Sequence, residues 1–190
     1  MTASEVVDAL KSQFGTAIQK TVDFRGEQTV VVDPSSGKAI LKYCRDELAF
    51  DCMVDISSLD HFGQEPRFEM VYELYSYSTK AHLRVRFAVS EDEGTVQTVS
   101  DLWATADWHE REIYDMMGLK FEGHPDLRRI LMWDGYPFYP LRKDFPLAGK
   151  ESDLPDVAFT GEAPLAGGPF VTCPSSASTV QREPRSREMD

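Results

Sequence analysis

Val6, Val7, Leu10, Phe14 and Ile18 recur at helical spacing in a polar stretch, which predicts a helix over residues 3–19 with Ser4 as its N-cap. Two short strands are expected at 21–25 and 28–32, with Gly26-Glu27 at the turn between them. The valine run of the second suits a buried, β-branched strand. Pro34-Ser-Ser-Gly37 interrupts the pattern as a loop. Residues 38–48 then return to helical spacing, with Ile40, Leu41, Cys44 and Leu48 facing inward.

Period-two alternation takes over next. Runs at 53–62, 67–77 and 82–89 read as three strands: Phe68, Met70, Tyr72 and Leu74 alternate with Glu69, Val71, Glu73 and Tyr75. Leu83, Val85, Phe87 and Val89 alternate with Arg84, Arg86 and Ala88, and the link at 78–81 is short enough for an antiparallel hairpin. Beyond the acidic loop Glu91-Asp92-Glu93-Gly94, a helix is expected over 100–117, entered by Ser100 and Asp101 and stopped by Gly118. The order α-β-β-α-β-β-β gives a two-layer α+β domain over residues 1–120, with this helical motif segment at its end.

Composition sets the last third of the chain apart. Nine of the 11 prolines fall at or after Pro125, so residues 121–148 read as an extended arm. Residues 149–190 hold few large apolar side chains and are expected to be an extended or disordered tail. The chain has 190 residues, 20 Lys and Arg against 32 Asp and Glu, and a net charge of −12. Such an acidic chain repels phosphate backbones, which argues against nucleic acid as a partner. Its longest apolar run is the stretch Ile130-Leu131-Met132-Trp133, far short of the roughly 20 residues of a membrane span. Cys44, Cys52 and Cys173 have no metal-binding spacing, no secretion signal opens the chain, and a reduced cytoplasmic protein is expected.

The chemistry-bearing residues crowd into 106–133. His109-Glu110 begins an HExxH zinc pattern, but Ile113 stands where the second histidine must be. Glu110 and Glu112 are two residues apart on a helix, point about 200° apart, and cannot flank one bond. Asp107, Arg111 and Asp115 are i,i+4 neighbours, so a charged helix face braced by ion pairs is the simpler reading. His124 in Gly-His-Pro reads as a hydrogen-bonding loop anchor rather than a ligand. No phosphate-binding glycine pattern is present. Arg128-Arg129 and Arg142-Lys143, followed by Asp144, lie among Leu127, Ile130, Leu131, Met132, Trp133, Tyr136, Phe138, Tyr139, Leu141 and Phe145. So many large apolar side chains on a proline-rich arm call for a covering surface. A docking site built on Arg128, Arg129, Trp133, Arg142, Lys143 and Asp144 is therefore expected.

These same residues resemble a known family. Glu110, Arg111, Glu112, Asp115, Met116, Met117, His124, Arg128, Ile130 and Leu131 match, at family spacing, the motif of the 30-kDa-type subunit of respiratory complex I, the C-type subunit of bacterial NADH–quinone oxidoreductase. The stretches 101–112 and 140–147 are also similar to it, and the resemblance spans about residues 1–150. A departure lies at Tyr136-Pro-Phe-Tyr139, where the family usually has a Trp-Glu-Gly-His type run, so Phe138 and Tyr139 stand for its Gly and His. The resemblance implies a peripheral-arm subunit with no catalytic residue, flavin or iron–sulfur cluster of its own, FMN and clusters residing in other subunits. It implies docking on the 49-kDa-type (D-type) subunit, with the B-type subunit and other peripheral-arm subunits nearby, in a complex that passes electrons from NADH to quinone and pumps protons. The chain would then lie at the cytoplasmic face of the bacterial inner membrane without entering it. Related subunits serve membrane-bound hydrogenases and ferredoxin- or F420-linked dehydrogenases, which remain the alternative.

Overall fold

Thr2, not Ser4, opens the first helix of the computed structural model, which describes residues 2–146. Thr2 Oγ1 accepts from the Glu5 N–H at 3.3 Å while Glu5 Oε2 accepts from the Thr2 N–H at 2.7 Å, a reciprocal capping box. The helix, α1, spans Ala3–Phe14, shorter than expected, because Gly15 turns the chain and Ile18 already begins a strand. Next come β1 (Ile18–Phe24), β2 (Glu27–Val32), a 3-10 turn at Pro34–Ser36, and α2 (Gly37–Asp46). Strands β3 (Cys52–Asp60), β4 (Phe68–Tyr75) and β5 (His82–Val89) complete the predicted α-β-β-α-β-β-β order.

The five strands form one sheet in the order β1-β2-β5-β4-β3, antiparallel except for the parallel β2–β5 pair. The register puts Met70 opposite Phe87, Tyr72 opposite Val85 and Leu74 opposite Leu83, so the alternating apolar residues share one face. That face joins Val6, Val7 and Leu10 of α1 and Ile40, Leu41 and Cys44 of α2 in one core. Burial in this core pushes the Cys44 thiol up to about 12, so it behaves as a small apolar side chain. The other face is polar: Arg84 bonds Glu73 and reaches Glu27, and Arg86 bonds Glu69.

Two departures from expectation trace to local hydrogen bonding. The last helix, α3, spans Ala106–Met117 rather than starting at Ser100. Residues 98–105 are irregular instead, with turns at 100–102 and 104–105 and the Leu102 and Trp103 N–H groups both donating to the Val99 carbonyl. Gly118 ends the helix as expected, at φ 79° with its N–H on the Tyr114 carbonyl. The second departure is a small parallel sheet of β6 (Thr95–Gln97) and β7 (Lys120–Glu122), whose three-residue strands are too short to show a period.

The chain divides into two compact units, one ending at Trp133 and one beginning at Asp134. Residues 121–133 thus belong with the α+β unit rather than with an arm, since Phe121 lies in β7 with its side chain in the core. In the second unit, Tyr136 and Phe138 meet edge-to-face at 5.6 Å and Phe138 lies 6.0 Å from Phe145. The Arg142 guanidinium sits 4.7 Å over the Tyr139 ring. The aromatic residues of this segment therefore pack partly on one another. The tail expected over 149–190 lies outside the described residues.

Gly37 opens α2 against the sheet with no room for a side chain: a Cβ there would lie 2.8 Å from Phe87 Cε1. Phe87 is itself stacked on Tyr72 at 5.5 Å, so moving its ring disturbs that contact. Gly37→Ala is expected to lower stability by about 1–3 kcal/mol through overpacking, measurable by urea unfolding. An unchanged midpoint would mean that the ring shifts freely.

Candidate functional site

Helix α3 carries its charged residues inward. Glu110 and Asp115 are fully buried and Arg111 nearly so, which overturns the expected solvent-facing ion-pair ladder. Arg111 turns away from both Asp107 and Asp115. Its Nε and Nη2 donate to the carbonyls of Arg128 and Arg129, each at 3.2 Å, while its guanidinium lies 5.2 Å over the exposed Trp108 ring.

Asp115 does the complementary work. One carboxylate oxygen accepts the N–H groups of Ile130, Leu131 and Met132 at 3.1, 2.7 and 2.8 Å, and the other accepts from Arg129 Nη1 at 2.5 Å. Burial pushes this carboxyl up, but the Met132 N–H, the Arg129 guanidinium and the Leu131 and Ile130 N–H groups outweigh it. The net result lies below the ordinary 3.8. One helix thus supplies a donor for two carbonyls and an acceptor for three amides, and residues 128–132 are strapped to it by their main chain.

Glu110 anchors the other flank. Thr98 Oγ1 donates to it at 2.5 Å and the Val99 N–H at 2.7 Å, which holds the turn entering α3. Burial raises this carboxyl above its ordinary 4.5, against the pull of those donors. The His124 side chain is buried too: Nε2 donates to the Asp107 carbonyl at 3.2 Å and Nδ1 accepts from the Asp126 N–H at 3.0 Å. Both partners are main-chain groups of fixed sense, so they assign the Nε2–H tautomer and the expected loop anchor. His109 instead meets Asp55 of β3 at 3.2 Å, away from Glu110. Among the described residues, no group of three or more His, Cys, Asp or Glu side chains is placed to hold a metal ion.

The consecutive arginines divide their roles. Arg129, 12% exposed, is bound to Asp115, so it braces the unit rather than offering itself for docking. Arg128 is 67% exposed and paired locally with Asp126 at 2.8 Å, and Leu131 is 62% exposed. Glu112 also faces solvent, whereas Met116 is buried, and Met117, Ile130 and Trp133 are half-buried. In the second unit Lys143 and Asp144 are exposed and Arg142 is half-buried. Nothing in the sequence announces Thr98 and Val99 as partners of Glu110, although Glu110 falls in the Ala106, Ile113 row of the apolar stripe, which signals burial.

The family model for the respiratory-chain NADH dehydrogenase 30 Kd subunit matches residues 30–151, which include this whole site. The chain belongs to that family. The C-type subunit of NADH-quinone oxidoreductase from Geotalea uraniireducens is 42% identical over 150 residues, covering 79% of this chain and 92% of that protein. One of the C-type subunits of Rhizobium meliloti is 42% identical over 161 residues, with 82% and 86% covered. Among solved structures, a trypsin-resistant fragment of Nqo5 superposes with a TM-score of 0.60 at 31% identity, covering 67% of this chain and all of the fragment. A chain of an archaeal membrane-bound sulfane sulfur reductase shares the fold, with a TM-score of 0.67 at 24% identity and coverage of 76% and 85%. In this 30 Kd family member, no helix among the described residues is long and apolar enough to cross a membrane.

Removing the Asp115 carboxylate strands three amides and a guanidinium, so Asp115→Ala is expected to cost about 3 kcal/mol or more. The pH dependence has a definite sign. Because the folded pKa lies below the unfolded one, the stabilisation is present above the unfolded value and lost as pH falls through the folded value. Glu110, raised in the fold, works oppositely: its contribution declines as pH rises from its unfolded toward its folded value. Asp115→Asn should therefore be less stable at pH 7 yet show a flatter loss below pH ~4. Thermal unfolding across pH checks this, and parallel acid limbs in the two proteins would contradict it.

Proposed function

We propose that this chain is the non-catalytic 30-kDa-type subunit in the peripheral arm of a proton-pumping NADH:quinone oxidoreductase, scaffolding the subunits that form the quinone site. The observation that carries this reading is the strapped segment 128–132. Its main chain is bound to α3 while Arg128 and Leu131 face outward, a pre-formed surface that loses little freedom on docking. The aromatic segment with Arg142, Lys143 and Asp144 supplies a second contact. The main partner is the 49-kDa-type subunit, with the B-type subunit and other peripheral-arm subunits beyond it. The complex lies on the cytoplasmic face of the inner membrane, and this chain reaches the membrane through its partners.

The FMN and iron–sulfur clusters of the complex belong to other subunits, and this chain carries no cofactor. The purified protein is accordingly expected to be colourless, with no metal retained after chelator washing. A visible absorption band, or about one metal per chain, would reject the non-catalytic role. The fold shared with a sulfane sulfur reductase chain favours a second reading, the equivalent subunit of another membrane-bound complex such as a hydrogenase or a ferredoxin- or F420-linked dehydrogenase.

Three arginines separate docking from folding. Arg128→Ala and Arg142→Ala are expected to weaken association with the 49-kDa-type subunit roughly 30- to 4,000-fold while leaving the melting temperature of the isolated chain nearly unchanged. Arg129→Ala is expected to lower that melting temperature markedly, since it leaves the buried Asp115 short of its charge partner. Co-purification and thermal unfolding of all three variants decide the matter. Full association of Arg128→Ala would reduce that side chain to a solvated surface charge.

A further inference from the structure

A cavity of about 500 Å³ opens between the C-terminal end of β5 and the small strand β6, roofed by Asp33, Ser35 and Lys38. Three consecutive residues of each strand line it, 87–89 and 95–97, so main chain as well as side chains forms its walls. Both edges are open there. Strand β2 accompanies β5 only as far as Val31 opposite Arg86, and among the described residues β6 pairs with β7 on one side alone. The Ser76 N–H donates to the Ala81 carbonyl, and counting in twos along the antiparallel ladder turns residues 83, 85, 87 and 89 toward β4. The amide of Ala88 therefore points away from β4, toward the cavity. Lys120 donates to the Gly94 carbonyl and Thr98 to that of Glu122, so residues 94, 96 and 98 face β7 and the amides of Thr95 and Gln97 face the open side. Tyr72, stacked on Phe87, also lines the cavity, and its buried hydroxyl has no hydrogen-bond partner among the described residues.

Charge marks the mouth. Asp33 and Glu93 stand on the lining, the exposed Asp92 precedes Glu93 in the chain, and the one cation among the described lining residues, Lys38, lies 3.0 Å from Asp101. From these unpaired edges and this acidic rim we propose that the cavity receives an extended, basic segment of a partner polypeptide, which adds as a strand between β5 and β6. Main-chain bonds to Ala88, Thr95 and Gln97 supply its affinity, and a Lys or Arg side chain answers Asp33 and Glu93. The floor of Leu41, Phe87 and Val96 accepts its apolar side chain. The inference rests on the reading that the chain works within an assembly, and it adds a contact remote in sequence from residues 128–145.

Amide hydrogen exchange on the full chain, alone and within the purified complex, tests it. Assembly should slow Ala88, Thr95 and Gln97 on the order of ten-fold or more, while Val96 and Thr98, already bonded to β7, change little. Gln97→Pro removes a donor the β6–β7 pair does not use, and should abolish the slowing at Thr95 in a complex that still forms. Glu93→Lys, on the exposed rim, should diminish it through charge alone. Unchanged exchange in a complex that still contains the 49-kDa-type subunit would overturn the proposal and leave the function intact. Uniform slowing from 95 to 98 would mean a covering surface instead of a strand, and would overturn it too. An alternation present in the isolated chain and lost on deleting residues 147–190 would overturn it by assigning the place to the chain's own tail. A chain that enters no complex would overturn both readings.

Discussion

A carboxylate taken out of water must find donors, and α3 takes two of them into the protein. Asp115 collects three successive amides and a guanidinium, while Glu110 collects a hydroxyl and an amide. These needs dictate the loops on either side: Thr98 and Val99 are drawn onto Glu110, and 129–132 curl to reach Asp115. The sheet supplies a floor for the core, but the two carboxylates decide how irregular chain is laid over it. Arg111 completes the scheme by satisfying carbonyls where Asp115 satisfies N–H groups.

Burial of charge also explains why the sheet is more legible in the sequence than the site. Strand β5 can be read to the residue, because seven positions of alternation, 83–89, between Leu, Val and Phe on one side and Arg and Ala on the other admit one register. The family motif likewise locates the stretch where the buried charges lie. Spacing misleads at Asp107, Arg111 and Asp115, which are charged and four apart yet do not bond along the helix. Side-chain spacing is local information, whereas the partners of Arg111 and Asp115 lie 14 to 18 residues away, mostly on main-chain atoms that no side-chain pattern encodes.

The same blindness applies to the twin arginines. Arg128 and Arg129 are chemically identical in sequence, and the segment has no regular period to say which turns inward. Only the placement of Asp115 separates them. The small β6–β7 sheet is hidden for a different reason. Three residues are too few for alternation to be distinguished from chance, and the two strands are held together by main-chain bonds that no side-chain pattern records.

The strap on residues 130–132 grips amide groups, which every residue except proline possesses. The outline of this surface is thus independent of the side chains it displays. Substitutions at Arg128 or Leu131 alter charge and greasiness while the scaffold beneath keeps its shape. A domain built this way behaves like a tool handle with interchangeable bits: its outward positions can change without the frame beneath being rebuilt.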